Sequence, residues 1–137
     1  MKKQIFINLS VKDVEKSTDF YAQLGFSNNP EFTDDHQKCM VWSEQIYVML
    51  ISREKFNQYS RKEIGETNNN PNATYTLPVE SLDTVCEIVE AGLKAGGKEP
   101  IPMIDEGYMQ VRRIEDFDGH TWDFIFLDMD RFRESRY

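Results

Sequence analysis

Positive charge is what this sequence most lacks: 16 Lys and Arg stand against 24 Asp and Glu, a formal net charge of −8. Nucleic-acid binding needs basic patches. Here Arg112-Arg113 and the late Arg131, Arg133 and Arg136 are scattered among acids, so no nucleic-acid partner is expected. Long apolar runs are missing too. The longest one in the middle of the chain, Tyr47 to Ile51, has five residues, where a membrane-crossing helix takes about 20. No membrane association is expected. Met1-Lys2-Lys3-Gln4 leads straight into an alternating segment with no apolar leader core, which predicts a cytoplasmic protein. Cysteine is scarce, and Cys39 and Cys86 read as free thiols with no base at a matching spacing. Asn8-Leu9-Ser10 and Asn72-Ala73-Thr74 match the glycosylation triplet but fall in predicted strands of a chain with no export signal.

Histidine is equally scarce. His36 falls in a predicted turn beside Asp34-Asp35, and His120 follows the turn glycine Gly119, so both read as surface residues. His120 lies an odd number of residues from Asp123, which puts the two on opposite faces of an extended strand. A metal site of two histidines and one carboxylate is excluded by this count. What remains is ordinary globular composition, with 39% apolar, 12% aromatic and 29% charged residues in 137. A chain of that length buries roughly two-thirds of its unfolded surface and needs neither disulfide nor metal to fold.

The pattern along the chain is β-α-β-β-β written twice. Gln4 to Val11 alternates, with Ile5, Ile7, Leu9 and Val11 on one side and Phe6, Asn8 and Ser10 on the other. Asp13 caps a helix whose stripe is Val14, Ser17, Phe20, Tyr21 and Leu24, and Gly25 ends it. Strands are predicted over 27–33, 38–43 and 46–52, then a short helix from Arg53 and a polar linker containing Asn68-Asn69-Asn70-Pro71. The pattern then restarts. Tyr75, Leu77 and Val79 alternate with Thr74, Thr76 and Pro78; Ser81 caps a helix with the stripe Leu82, Val85, Ile88, Val89 and Leu93, closed by Gly96-Gly97. Strands follow over 99–104, 108–115 and 121–127, with Asp118-Gly119 as the turn between the last two. Glu106-Gly107 reads as a loop that serves as a lid, and 129–137 as a polar tail, mobile or packed on a partner. Leu9-Ser10-Val11 and Leu77-Pro78-Val79 begin 68 residues apart, marking an internal repeat. The reading is therefore a single α+β unit over 1–137. Module 1 covers about 3–60, the linker about 61–72, and module 2 about 73–128.

Three segments carry a family resemblance: Phe6-Ile7-Asn8-Leu9-Ser10-Val11-Lys12-Asp13, then Phe20-Tyr21 with Leu24-Gly25-Phe26, then Glu115 through Asp123. Together they resemble the vicinal oxygen chelate superfamily of glyoxalase I, extradiol dioxygenases, fosfomycin resistance enzymes and bleomycin resistance proteins. The sequence looks most like small bacterial glyoxalase-like proteins, of the predicted lactoylglutathione lyase type. The resemblance implies two βαβββ modules whose mixed sheet curls around a cavity, a homodimer, and metal ligands on the cavity faces of the first and last strand of each module. Alternation assigns those faces here: Phe6, Asn8 and Ser10; Val48, Leu50 and Ser52; Thr74, Thr76 and Pro78; Thr121, Asp123 and Ile125.

Matched to the glyoxalase I ligand positions, this chain has Phe6, Leu50, Thr74 and Asp123, where the family has His or Gln, Glu, His and Glu. One carboxylate, one hydroxyl and two apolar groups do not hold a transition metal. No cofactor is expected, with a divalent metal as the alternative. Two functions stay open. One is a small-molecule binding protein of the bleomycin-resistance type, lined by Phe6, Asn8, Leu50, Thr74, Thr76, Thr121 and Asp123, where the net charge of −8 suits a cationic ligand. The other is an enzyme, lyase or dioxygenase-like, with a degenerate metal site or acid–base chemistry at Asp123. Asp123 also has a purely architectural reading, in which it bonds Asn8 or Thr74 and orders the sheet.

Overall fold

The first alternating segment becomes β1 (Ile5–Val11), and Asp13 turns the chain into α1 (Val14–Leu24) by accepting a hydrogen bond from the Lys16 amide. All five residues of the expected stripe on α1 are buried, and Gly25 closes the helix at φ 110°, a conformation costly for any other residue. Next come β2 (Ser27–Asp34), β3 (Gln37–Val41), β4 (Ile46–Ser52) and α2 (Arg53–Ser60). The second half repeats the order with β5 (Thr74–Pro78), α3 (Leu82–Lys94), β6 (Ile104–Asp105), β7 (Met109–Glu115) and β8 (Thr121–Leu127). These elements come from a computed structural model that describes residues 2–60 and 73–135; the predicted linker, about 61–72, lies outside the described residues.

The repeat expected from the sequence is real in three dimensions. The strands form two four-stranded mixed sheets, ordered β1-β4-β3-β2 and β5-β8-β7-β6, which do not close on one another. In each, the first and last strands of the module pair in parallel, and the last two in antiparallel. The fold is α+β, built from two βαβββ modules. One core serves both: Leu9, Val11, Phe20, Tyr21 and Leu24 of the first module pack in the same cluster as Leu77, Val85, Val89, Trp122 and Phe124 of the second. Among the described residues no helix is long and apolar enough to cross a membrane.

Three expectations need correction. The strand predicted over 99–104 shrinks to Ile104–Asp105, because Pro100 and Pro102 have no amide proton for a ladder; Lys98 alone bridges to Glu115. The tail, expected to be mobile or packed on a partner, holds a helix over Met129–Ser135, α4. Asp128 caps it through the amides of Asp130 and Arg131, and the Phe132 ring packs 5.1 Å from that of Tyr108. The third correction concerns β4. Its parallel register sets Val48 beside Ile7 and Leu50 beside Leu9. Val48 and Leu50 are therefore fully buried on the helix side, and Ser52 shares their face. Tyr47, Met49 and Ile51 take the opposite face with Phe6, Asn8 and Ser10.

Candidate functional site

The sheet face of module 2 turned away from the helices is built in rows. Across β5, β8 and β7 the registers place Thr74, Thr121 and Glu115 side by side, then Thr76, Asp123 and Arg113, then Pro78, Ile125 and Val111. Ile104 of β6 extends the last row. The centre of this surface is a two-pronged ion pair. Arg113 donates from Nε to Asp123 Oδ1 at 2.7 Å and from Nη2 to Asp123 Oδ2 at 3.0 Å. The side chains are 29% and 12% exposed respectively, so the fork is held in place and still reachable.

Asp123 thus takes its place on the expected face, but its partner is neither Asn8 nor Thr74. Thr74 and Thr76 lie on the same face and are exposed. Thr121 is 3% exposed, with its hydroxyl donating to the Gly119 carbonyl at 3.3 Å, so it serves the turn. Phe6 and Asn8 are exposed on the corresponding face of module 1. The Phe6 ring stacks on Tyr47, centroids 4.5 Å apart and planes 9° apart. Leu50 leaves the set entirely, because its side chain is in the core. The structure therefore brings together Thr76, Asp123 and Arg113, and does not bring the four matched metal positions onto one surface. Those residues do not fit a transition metal: Phe6 offers no donor, Leu50 points away, and both Asp123 oxygens already accept from a guanidinium. Among the described residues no three His, Cys, Asp or Glu side chains are grouped to hold a metal ion.

Sequence reasoning set Arg113, with Tyr108 and Met109, at the border of the cavity with its strand phase open and did not pair it with Asp123, although a signal for the pairing existed. The turn at Asp118-Gly119 centres the last hairpin on Asp118, so the residue five before it faces the residue five after it. Antiparallel pairing then puts Arg113 opposite Asp123 on one face. Leaving Asp123 without its partner costs more than the reverse, because the carboxylate is the more buried of the two. Arg113→Leu is expected to cost about 2 kcal/mol and Asp123→Asn about 1 kcal/mol, between the values typical of exposed and buried pairs. Urea denaturation of both variants checks the order.

The motif from Glu115 to His120 does architectural work between the modules. Asp116, 5% exposed, accepts from the amides of Asp118 and His120 through Oδ1, and from the Tyr21 hydroxyl at 2.6 Å through Oδ2. Trp122 Nε1 donates to the same Tyr21 oxygen at 2.9 Å. His120 is half-buried, not a free surface residue, and its Nε2 donates to the Ser10 carbonyl at 2.8 Å. Asp118 receives the Lys12 amide and lies 3.6 Å from Arg53. The contacts of Asp116 with Tyr21, of His120 with Ser10 and of Asp118 with Lys12 and Arg53 tie the β7–β8 turn to module 1. Burial pushes the Asp116 carboxyl above its usual range, against the pull of His120 and of its hydrogen-bond donors. Burial, reinforced by Asp116, likewise raises the Tyr21 hydroxyl. On the helix side of module 2, Arg112 holds Glu99 through Nε and Nη2, both at 2.8 Å, and keeps its carboxyl below the usual carboxylate range.

No family model and no curated protein matches this chain. Solved structures do. A hypothetical protein from S. aureus is 27% identical, with 92% of this chain and 95% of that one covered and a TM-score of 0.77. A glyoxalase-related enzyme from Fulvimarina pelagi is 17% identical over 92% and 88% of the two chains, TM-score 0.78. A glyoxalase/bleomycin resistance protein/dioxygenase family enzyme from Burkholderia phytofirmans is 14% identical over 92% and 99%, TM-score 0.74. The paired βαβββ modules and these likenesses agree: the chain has the fold of the glyoxalase/bleomycin resistance/dioxygenase, or vicinal oxygen chelate, superfamily.

Proposed function

We propose that this protein binds a small organic molecule on the helix-free faces of its sheets, without a resident metal. The observation that carries the reading is the Arg113–Asp123 fork, a rigid charged group presented on the helix-free face of module 2. Recognition sites join such fixed polar groups to apolar and aromatic walls. The Ile125 and Val111 row and the stacked Phe6–Tyr47 pair supply those walls. Acid–base catalysis by Asp123 is the weaker reading, since a general base needs a free lone pair within reach of the proton it removes, and both of its oxygens face Arg113.

A second copy of the chain completes the site. β1 and β5 are edge strands, and β1 begins with Ile5 at 54% and Phe6 at 45% exposure. Exposed apolar edges invite pairing with another chain, and a homodimer that covers them draws the two kinds of binding face together. The test uses untagged, chelator-treated protein and the uncharged dye Nile red. Saturable fluorescence enhancement, a dimer in sedimentation velocity, and loss of both in Phe6→Glu are expected. Calorimetric titration with Ni²⁺, Mn²⁺, Fe²⁺ and Zn²⁺ is expected to show no site tighter than about 1 μM, equivalent to roughly −8 kcal/mol. Stoichiometric metal binding below that level, or no dye binding at all, overturns the reading.

A further inference from the structure

The Arg113–Asp123 pair is lopsided in what it leaves for a ligand. A guanidinium carries five N–H donors, and the bonds to Asp123 use one on Nε and one on Nη2. Both hydrogens of Nη1 and the second of Nη2 meet no acceptor among the described residues. Asp123 is in the opposite state, with both oxygens accepting and its side chain 12% exposed. The pair therefore presents donors outward and keeps its acceptors covered. Thr76, beside Asp123 in the same row, adds an exposed hydroxyl.

The neighbouring rows give the site a direction. On one side Glu115 shares the face and repels a bound anion; on the other lie Ile125, Val111 and Ile104 with no charge among them. A ligand whose negative end meets Arg113 is thus steered to lay its body over the apolar row, away from Glu115. We infer that this row is a carboxylate subsite. It takes a small organic acid with an apolar body, the carboxylate received by the outer edge of the Arg113 guanidinium. The inference rests on the proposal that the helix-free face is the binding surface, and it reverses the ligand charge that the −8 of the whole chain suggests. Local geometry prevails because distributed surface charges are screened over about 8 Å at physiological salt, while the fork acts in direct contact.

Three probes of one shape test this: 3-phenylpropanoate, 3-phenylpropanamide and 3-phenylpropylamine, titrated calorimetrically into the full chain, with Nile red run in parallel. The acid is expected to bind at least tenfold tighter than the amide, and the amine most weakly. Glu115→Gln should tighten the acid several-fold and leave the amide unchanged. Because Arg113→Leu strands a buried carboxylate, the double variant Arg113→Gln with Asp123→Asn removes both charges together; its ratio of acid to amide affinity should fall to about one. Nile red binding with no preference for the acid, a preference for the amine, or a preference that survives in the double variant overturns the subsite and spares the binding face. If neither Nile red nor any probe binds, the binding face falls and takes the subsite with it.

Discussion

Asp116→Ala is expected to destabilise the protein by about 3–5 kcal/mol, the range for breaking a buried charged network by removing one member. The substitution leaves the Tyr21 hydroxyl and the amides of Asp118 and His120 without the acceptor they share. An orphaned buried donor costs about 1–3 kcal/mol, so three of them account for the size. Asp116→Asn keeps one oxygen for the two amides and should cost about 1–2 kcal/mol. The two variants also separate by pH. The folded protein binds the Asp116 proton more tightly than the unfolded chain does, because burial raises this carboxyl. Its contribution to stability is therefore complete below the ordinary carboxylate range and is lost as pH rises through the raised value. The advantage of the wild type over Asp116→Asn should be greatest at low pH and shrink as pH increases. Urea denaturation of the two proteins at several pH values checks this, and a gap that widens with pH contradicts it.

What the sequence made legible follows from where its periodicity is clean. β1 and β5 alternate without interruption, so their faces could be assigned, and Phe6, Asn8, Thr74 and Thr76 are where that alternation puts them. β4 does not alternate. Tyr47 to Ile51 is apolar throughout, and a strand apolar on both faces carries no phase in its pattern; only the parallel register with β1 decides that Leu50 goes inward. The ion pair was hidden for another reason. Asp123 was visible as a carboxylate on the helix-free face, but its partner depends on hairpin register, which a turn fixes and local hydrophobicity does not. The 115–120 motif was read as family likeness with an exposed histidine. Its buried role depends on Tyr21 and Ser10, about a hundred positions away in the chain, and no local pattern encodes that.

The same strand ties the core to the site, and Trp122 is where that coupling is strongest. Trp122 is fully buried on the helix side of β8, with ring contacts to Tyr21, Phe26 and Tyr75 and a hydrogen bond to the Tyr21 oxygen. Its chain neighbour Asp123 faces the other way and holds Arg113. Trp122→Ala should cost about 3–5 kcal/mol through the cavity it leaves, lowering the melting temperature by on the order of 10 °C or more for a chain of this size. Trp122→Phe refills most of the space and loses the single hydrogen bond, so about 1–2 kcal/mol is expected. The pair separates core from site in a way no substitution at Asp123 does. Trp122→Phe should keep the register of β8 and with it the dye-binding surface, because the backbone ladder to β5 and β7 is untouched. Trp122→Ala removes the support behind the strand, and Nile red binding should weaken in step with stability. Calorimetric melting and dye titration on the same samples read both quantities. Dye binding that survives Trp122→Ala unchanged would place the binding surface somewhere other than on β8.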